Sequence, residues 1–167
     1  MIEEKVNFHK STQTELETTT EFLRTTGKDK KFSDLIKELD ENLQAIYNHQ
    51  GYRYDIDISV AELDTVVLAS IGGITIGGGC FKLINDATAE VKRVFVSPYF
   101  RGLNVGSGLM EEIIEWAKEL NLEALVLETG ELQHQALQLF RKYGFAKIEN
   151  FGPYIGMKGS ICMGRRL

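Results

Sequence analysis

At 167 residues, with 43% hydrophobic and 26% charged content, the chain is long enough to bury a substantial core and is ordinary for a globular domain in water. A formal charge of −5 and a pI near 5.3, with no basic run beyond Lys28, Lys30 and Lys31, argue against a nucleic-acid partner. No apolar run approaches the roughly 20 residues a membrane-crossing helix needs, and the opening MIEEKVNF carries acidic residues where a signal peptide would be apolar. Cys80 and Cys162 fit neither a metal-ligand spacing nor a disulfide framework, and their apolar surroundings suit buried free thiols. The expectation is a cytoplasmic single-domain protein with no membrane and no metal.

Residues 1–31 form a poorly defined N-terminal segment: Val6 and Phe8 suit a short first strand, and 18–20 and 27–31 read as loop. From Ser33, a candidate N-cap, the stripe Phe32, Leu35, Ile36, Leu39, Leu43, Ile46 and Tyr47 repeats at helical spacing and marks a core-facing helix. Residues 52–61 read as a polar connector. Two short apolar strands, 66–69 and 74–76, flank Gly72-Gly73, a hairpin turn. Three further glycines, 77–79, imply a bulge or a close backbone approach, and the strand then continues through 80–83 to a turn at Asn85-Asp86.

The most informative stretch is EVKRVFVSPYFRGLNVGSGLM. Residues 90–96 alternate as a strand, which Ser97-Pro98 ends because proline lacks the N–H a ladder needs. Arg101, Gly102, Gly106, Ser107 and Gly108 follow, then Leu109, Met110, Ile113, Ile114, Ala117 and Leu120 at helical spacing, a helix over 106–120. A glycine-rich turn opening a helix aims backbone N–H groups and the positive end of a dipole at one point, where phosphates bind. Arg101 adds a fork of donors suited to a pyrophosphate. The plainer alternative is a tight turn beside a solvated arginine. Beyond it lie a buried strand at 125–127 running to Gly130, a helix over 133–143 stopped by Gly144, and closing strands at 145–148 and 160–163 around Gly152-Pro153-Tyr154. A meander followed by strand–helix–strand–helix–strand gives a mixed α/β sheet.

That same stretch resembles the acetyl-CoA-binding motif of the GCN5-related N-acetyltransferase (GNAT) superfamily, and LVLETGELQHQALQLFRKYGF resembles the family's next strand and helix. FGPYIGMKGSICM is similar to the end of a bacterial small-substrate subgroup, so the resemblance covers residues 33–167. It implies the GNAT fold, a mixed and mostly antiparallel central sheet flanked by helices, with acetyl-CoA bound at a splayed strand pair. The implied activity is transfer of acetyl from acetyl-CoA to a primary amine of a small molecule or amino acid, and a homodimer is common for the fold. The implied cofactor residues are Val94, Phe95 and Val96, whose strand frees N–H groups for the thioester and pantetheine, and Arg101, Gly102, Leu103, Asn104, Val105, Gly106, Ser107 and Gly108 around the pyrophosphate. Asn104 replaces the motif's usual first glycine, a tolerable change because asparagine adopts the left-handed region more readily than other residues.

The implied catalytic residues are Glu90 and Tyr154. An amine attacks a thioester only when neutral, so a base must take its proton. Glu90 lies where some family members place that base; its alternative role is pairing with Lys92, and Glu128 is the backup. Many members carry a tyrosine acid where this chain has Phe140, which cannot donate, leaving Tyr154 as candidate acid or as a packing residue. Tyr143 reads as core. His134 reads as an exposed helix residue or a contact to the CoA arm. Two rival readings compete with this one. A non-catalytic CoA-binding module of the same fold is kept alive by Phe140. A short-chain dehydrogenase, suggested by Gly102, Gly106, Gly108 and the Tyr154/Lys158 pair, is rejected because a meander precedes the glycines and Pro153, Gly156 and Gly159 break the helix that pair requires.

Overall fold

The computed structural model describes residues 19–47 and 60–167. In chain order the elements are β1 (Glu21–Thr25), α1 (Lys30–Tyr47), β2 (Val66–Ile71), β3 (Ile74–Leu83), β4 (Thr88–Val96), α2 (Val105–Glu119), β5 (Ala124–Gly130), α3 (His134–Lys142), β6 (Ala146–Lys147) and β7 (Ser160–Arg166). The strands make one sheet of seven, ordered β1-β2-β3-β4-β5-β7-β6. Every neighbouring pair is antiparallel except β4 and β5, which α2 joins as a crossover. The expected mixed, mostly antiparallel sheet is therefore the one observed.

Both faces of the sheet are covered. Alternate residues of β2 point to opposite sides: Val67 and Ala69 join a core with Leu109, Ile113 and Leu137 of α2 and α3, and Val66 and Leu68 join a second with Phe32, Leu35 and Leu39 of α1. A strand buried on both faces reads as a continuous apolar run, which is why Val66-Val67-Leu68-Ala69 lacks alternation. The Gly72-Gly73 turn closes the β2–β3 hairpin with φ of 55° and 80°, the two positive values a tight hairpin demands. The 77–79 glycines show both expected features. The β3–β4 register slips between Gly78 and Cys80, and a Cβ on Gly77 would stand 2.9 Å from the Phe95 carbonyl oxygen.

Three expectations are corrected. Residues 21–25, inside the segment expected to be poorly defined, form β1, an edge strand on β2. Its inward side chains, Phe22 and Arg24, face α2; Arg24 pairs with Glu112 and Glu119 and lies 5.1 Å from the centre of the Trp116 ring. A strand with arginine on its inner face shows no clean apolar alternation. Helix α1 begins before Ser33: Asp29 Oδ1 accepts from the Lys31 N–H at 2.9 Å, and the Ser33 hydroxyl donates to the Lys30 carbonyl within the helix. The closing strands divide unequally, β6 having only two residues and β7 seven. The expected strand around Val6 and Phe8 and most of the 52–61 connector lie outside the described residues.

Candidate active site

Strand β4 pairs with β5 only between Thr88 and Val91, opposite Ala124 to Leu127. Beyond that point β5 continues to Gly130 along β7 alone, and β4 bends away. The bend is a bulge: Arg93 takes φ 57°, and Arg93 and Val94 together stand opposite Gly79. Parallel strands that part leave N–H groups on the β5 side of β4 without a ladder partner. The opening is a cavity of about 640 Å³. Val94, Phe95 and Val96 supply its β4 wall, and Arg101, Gly102, Asn104, Val105, Gly106 and Ser107 its wall from the turn and the first turn of α2.

Two of the expected cofactor residues stand elsewhere. Leu103 is 56% exposed and does not border the cavity. Gly108 also lies off it, and its missing Cβ is explained by Phe22 of β1, whose ring would lie 2.1 Å from that atom. Gly108 therefore serves the packing of β1 on α2.

The turn itself fits a diphosphate. Gly102 and Asn104 have φ of 82° and 60°, so Asn104 does occupy the left-handed conformation that glycine usually supplies. Its side chain makes no capping bond, and the Gly108 N–H donates to the Asn104 carbonyl. The N–H groups of Val105, Gly106 and Ser107 precede that bond and point out of the helix start. Arg101 is anchored by Nε to the Val96 carbonyl at 3.2 Å and reaches Asn42 Oδ1 of α1 at 3.4 Å. Two of its five donors are thereby used. Lys142 Nζ donates to the Ser107 hydroxyl at 2.8 Å, bringing a second cation to the helix start. Asn42 and Lys142 escaped the sequence reading because each reaches the turn from a distant helix.

Beside this cavity lies a smaller one of about 80 Å³, bordered by Glu90, Lys92, Glu128 and Tyr154. The two share Val94, Gln133, Ala136 and Phe140 as lining, so they adjoin. Glu90 makes the pair with Lys92 and borders this cavity. Its Oε1 accepts from the Tyr154 hydroxyl at 2.6 Å and from Lys92 Nζ at 2.7 Å, and Lys92 Nζ also donates to the Tyr154 oxygen at 2.8 Å. Glu90 and Lys92 share a strand face because they are two residues apart; that spacing was a usable signal for Lys92. Tyr154 arrives from the opposite direction, on a 3₁₀ turn (Gly152–Tyr154) that Pro153 initiates and that Asn150 braces by donating to the Tyr154 carbonyl at 3.0 Å. Its side chain is buried, and burial, with the Glu90 carboxylate beside it, holds the phenol well above the usual tyrosine range. The phenol therefore carries its proton throughout the neutral range.

Other candidates separate. Phe140 is buried between the two cavities and offers no donor. His134 is exposed yet borders the larger cavity. Tyr143 is half-buried, not core, and its hydroxyl ties α3 to Glu111 of α2 at 2.6 Å. Both cysteines are buried and free, as expected. The Cys80 thiol donates to the Lys92 carbonyl at 3.2 Å, and burial pushes its pKa up to about 12 from 9.0. A raised pKa means the fold favours the neutral thiol. That contribution is complete below pH 9 and is lost as pH rises toward 12, by up to roughly 4 kcal/mol. Urea midpoints measured from pH 8 to 11 should fall more steeply for the wild type than for Cys80→Ala; parallel slopes would contradict this.

Among the described residues no helix is long and apolar enough to cross a membrane, and no cluster of three metal-binding side chains occurs. Residues 32–145 match the acetyltransferase (GNAT) family model. The chain is 36% identical over 122 residues to an IAA acetyltransferase of Azospirillum brasilense, covering 72% of this chain and 80% of that one. A candidate acyl-CoA N-acyltransferase of Klebsiella pneumoniae superposes with a TM-score of 0.77 at 25% identity, over 90% of this chain and 99% of its own. A GNAT acetyltransferase of Elizabethkingia anophelis, solved with acetyl-CoA bound, shares the fold with a TM-score of 0.62 at 23% identity, over 89% and 98%. With all but the first two residues of α1 through the end of α3 inside the matched region and the split strands in place, the chain belongs to the GNAT family of acetyl-CoA-dependent acetyltransferases.

Proposed function

We propose that this enzyme acetylates the primary amine of a small molecule or amino acid, with Glu90 as general base, Tyr154 as general acid and the turn from Arg101 to Ser107 as the seat of the pyrophosphate. The observation that carries the reading is the Glu90–Tyr154 bond of 2.6 Å in a small cavity adjoining the larger one between the parted strands. Bound acetyl-CoA supplies the thioester carbon that the amine attacks and the sulfur that leaves. Val105, Gly106 and Ser107 donate backbone N–H groups to the diphosphate, and Arg101 adds a planar fork. The N–H groups freed along β4 polarise the acetyl carbonyl and stabilise the charge it gains. Glu90 takes the proton the amine must lose, and Tyr154 supplies the proton that Phe140 cannot give to the departing sulfur. A cavity of about 80 Å³ at the base suits one slender amine-bearing group.

The test is thiol release from acetyl-CoA with a panel of small primary amines and amino acids, set beside lysine-bearing proteins. Turnover of free small amines is expected. Acetylation of protein lysines alone would overturn the acceptor assignment.

A further inference from the structure

We infer that Lys92 is a positioning residue that orients both the Tyr154 phenol and the Glu90 carboxylate, so that base and acid work as one proton relay. The inference rests on the roles just proposed for Glu90 and Tyr154. The Lys92 and Glu90 side chains are only 10% and 14% exposed, so their 2.7 Å contact is an ion pair largely withdrawn from water. Such a pair carries a desolvation penalty that an apolar pair of the same size would avoid, and is therefore weak as a purely stabilising device. This pair also borders the cavity instead of filling the core, and it has a third member.

The third member gives the cluster a direction. Lys92 Nζ donates to both Glu90 Oε1 and the Tyr154 oxygen; an ammonium has no lone pair and can only donate. The phenol accepts from Lys92 and therefore turns its own proton to Glu90, at 2.6 Å. A phenol oxygen accepts a second bond readily, so the Glu90 bond reverses once Glu90 is protonated. During transfer the new N–C bond forms and the C–S bond breaks. One proton leaves the amine nitrogen for Glu90. Protonated Glu90 then donates to the Tyr154 oxygen, and the phenol gives its original proton to the sulfur. Amine and thioester become amide and thiol, and Glu90 and Tyr154 end as they began. Lys92 donates to the phenol oxygen before and after the reversal, which keeps that oxygen in place and eases any negative charge it gains. The other titratable groups near the phenol are Glu128 on β5 and Cys162 on β7; Arg93 on β4 is paired with Asp40 of α1 at 3.0 Å. Lys92 is thus the cation bonded directly to both partners of the relay.

Lys92→Met and Lys92→Gln remove the charge, and Lys92→Arg keeps it. The expected result is a kcat at least about 10-fold lower for the two neutral variants, with an unchanged KM for acetyl-CoA. Lys92→Arg should restore kcat to within a few-fold of the wild type. Rates are referred to the concentration of acetyl-CoA-binding sites measured on each preparation, so a less stable variant still reports. Neutral variants with wild-type kcat, or with a loss confined to KM, would overturn the inference, as would Lys92→Arg behaving like Lys92→Met. Glu90→Gln and Tyr154→Phe are measured alongside. If neither lowers kcat, the proposed roles themselves fail; if both do and Lys92→Met is silent, only the Lys92 inference fails.

Discussion

Glu90→Gln should lower kcat by roughly 10²- to 10⁴-fold, the usual worth of a positioned acid or base, and leave the KM for acetyl-CoA near its wild-type value. The two effects separate because Glu90 borders the small cavity and not the large one. Glutamine is the informative replacement. It keeps the side-chain volume and an oxygen that can accept from Tyr154 and Lys92, and it removes the basicity. Initial rates against amine and against acetyl-CoA give both constants. A kcat within a few-fold of wild type would leave Glu90 as the structural partner of Lys92 and nothing more.

Gly77→Val should be the most damaging single change to the scaffold of the site. A Cβ at Gly77 would lie 2.9 Å from the Phe95 carbonyl oxygen, 3.3 Å from Val105 and 3.4 Å from Leu109. The first contact is with backbone, which no rotamer change relieves. Phe95 lies on the free end of β4, and Val105 begins α2, so the added methyls press on both walls of the large cavity at once. Overpacking of this kind costs about 3 kcal/mol, a large fraction of the roughly 5–15 kcal/mol that holds a domain together. The urea midpoint of the variant should fall accordingly, and its acetyl-CoA affinity with it. A variant as stable as the wild type would mean that β3 and β4 are not packed as closely as described.

What could be read from the amino acids divides along a physical line. Features encoded by neighbouring residues were legible: the Gly72-Gly73 hairpin, the α2 stripe, the proline stop and the turn into the helix each depend on a few adjacent side chains. Features that depend on what lies across the sheet were not. Strand β1 is short and turns Arg24 inward toward two glutamates and a tryptophan of α2, so only the partner makes it legible as a buried strand. Gly108 looked like part of a phosphate turn because it follows Gly106 and Ser107; it is glycine because of Phe22, 86 positions away in the chain. The site shows the same divide. Glu90 and Tyr154 were separate candidates, one because the family resemblance implies a base at that place on the strand and the other as the tyrosine left once Phe140 could not donate. Their bond across 64 positions became visible only when the 3₁₀ turn after Pro153 met β4. Lys92, recognised as a partner for Glu90, emerged as part of the site only with that third member in place.

The most direct test of the account is calorimetric titration of the purified protein with acetyl-CoA, repeated on Arg101→Ala. The wild type should bind at one site per chain. The variant should bind roughly 10-fold more weakly, the loss of one charge-assisted contact of about 1.5 kcal/mol, with an unchanged melting temperature because Arg101 is exposed. Equal affinity in the two proteins would contradict the placement of the pyrophosphate at the turn before α2, and absence of binding by the wild type would contradict the role assigned to the cavity between the parted strands.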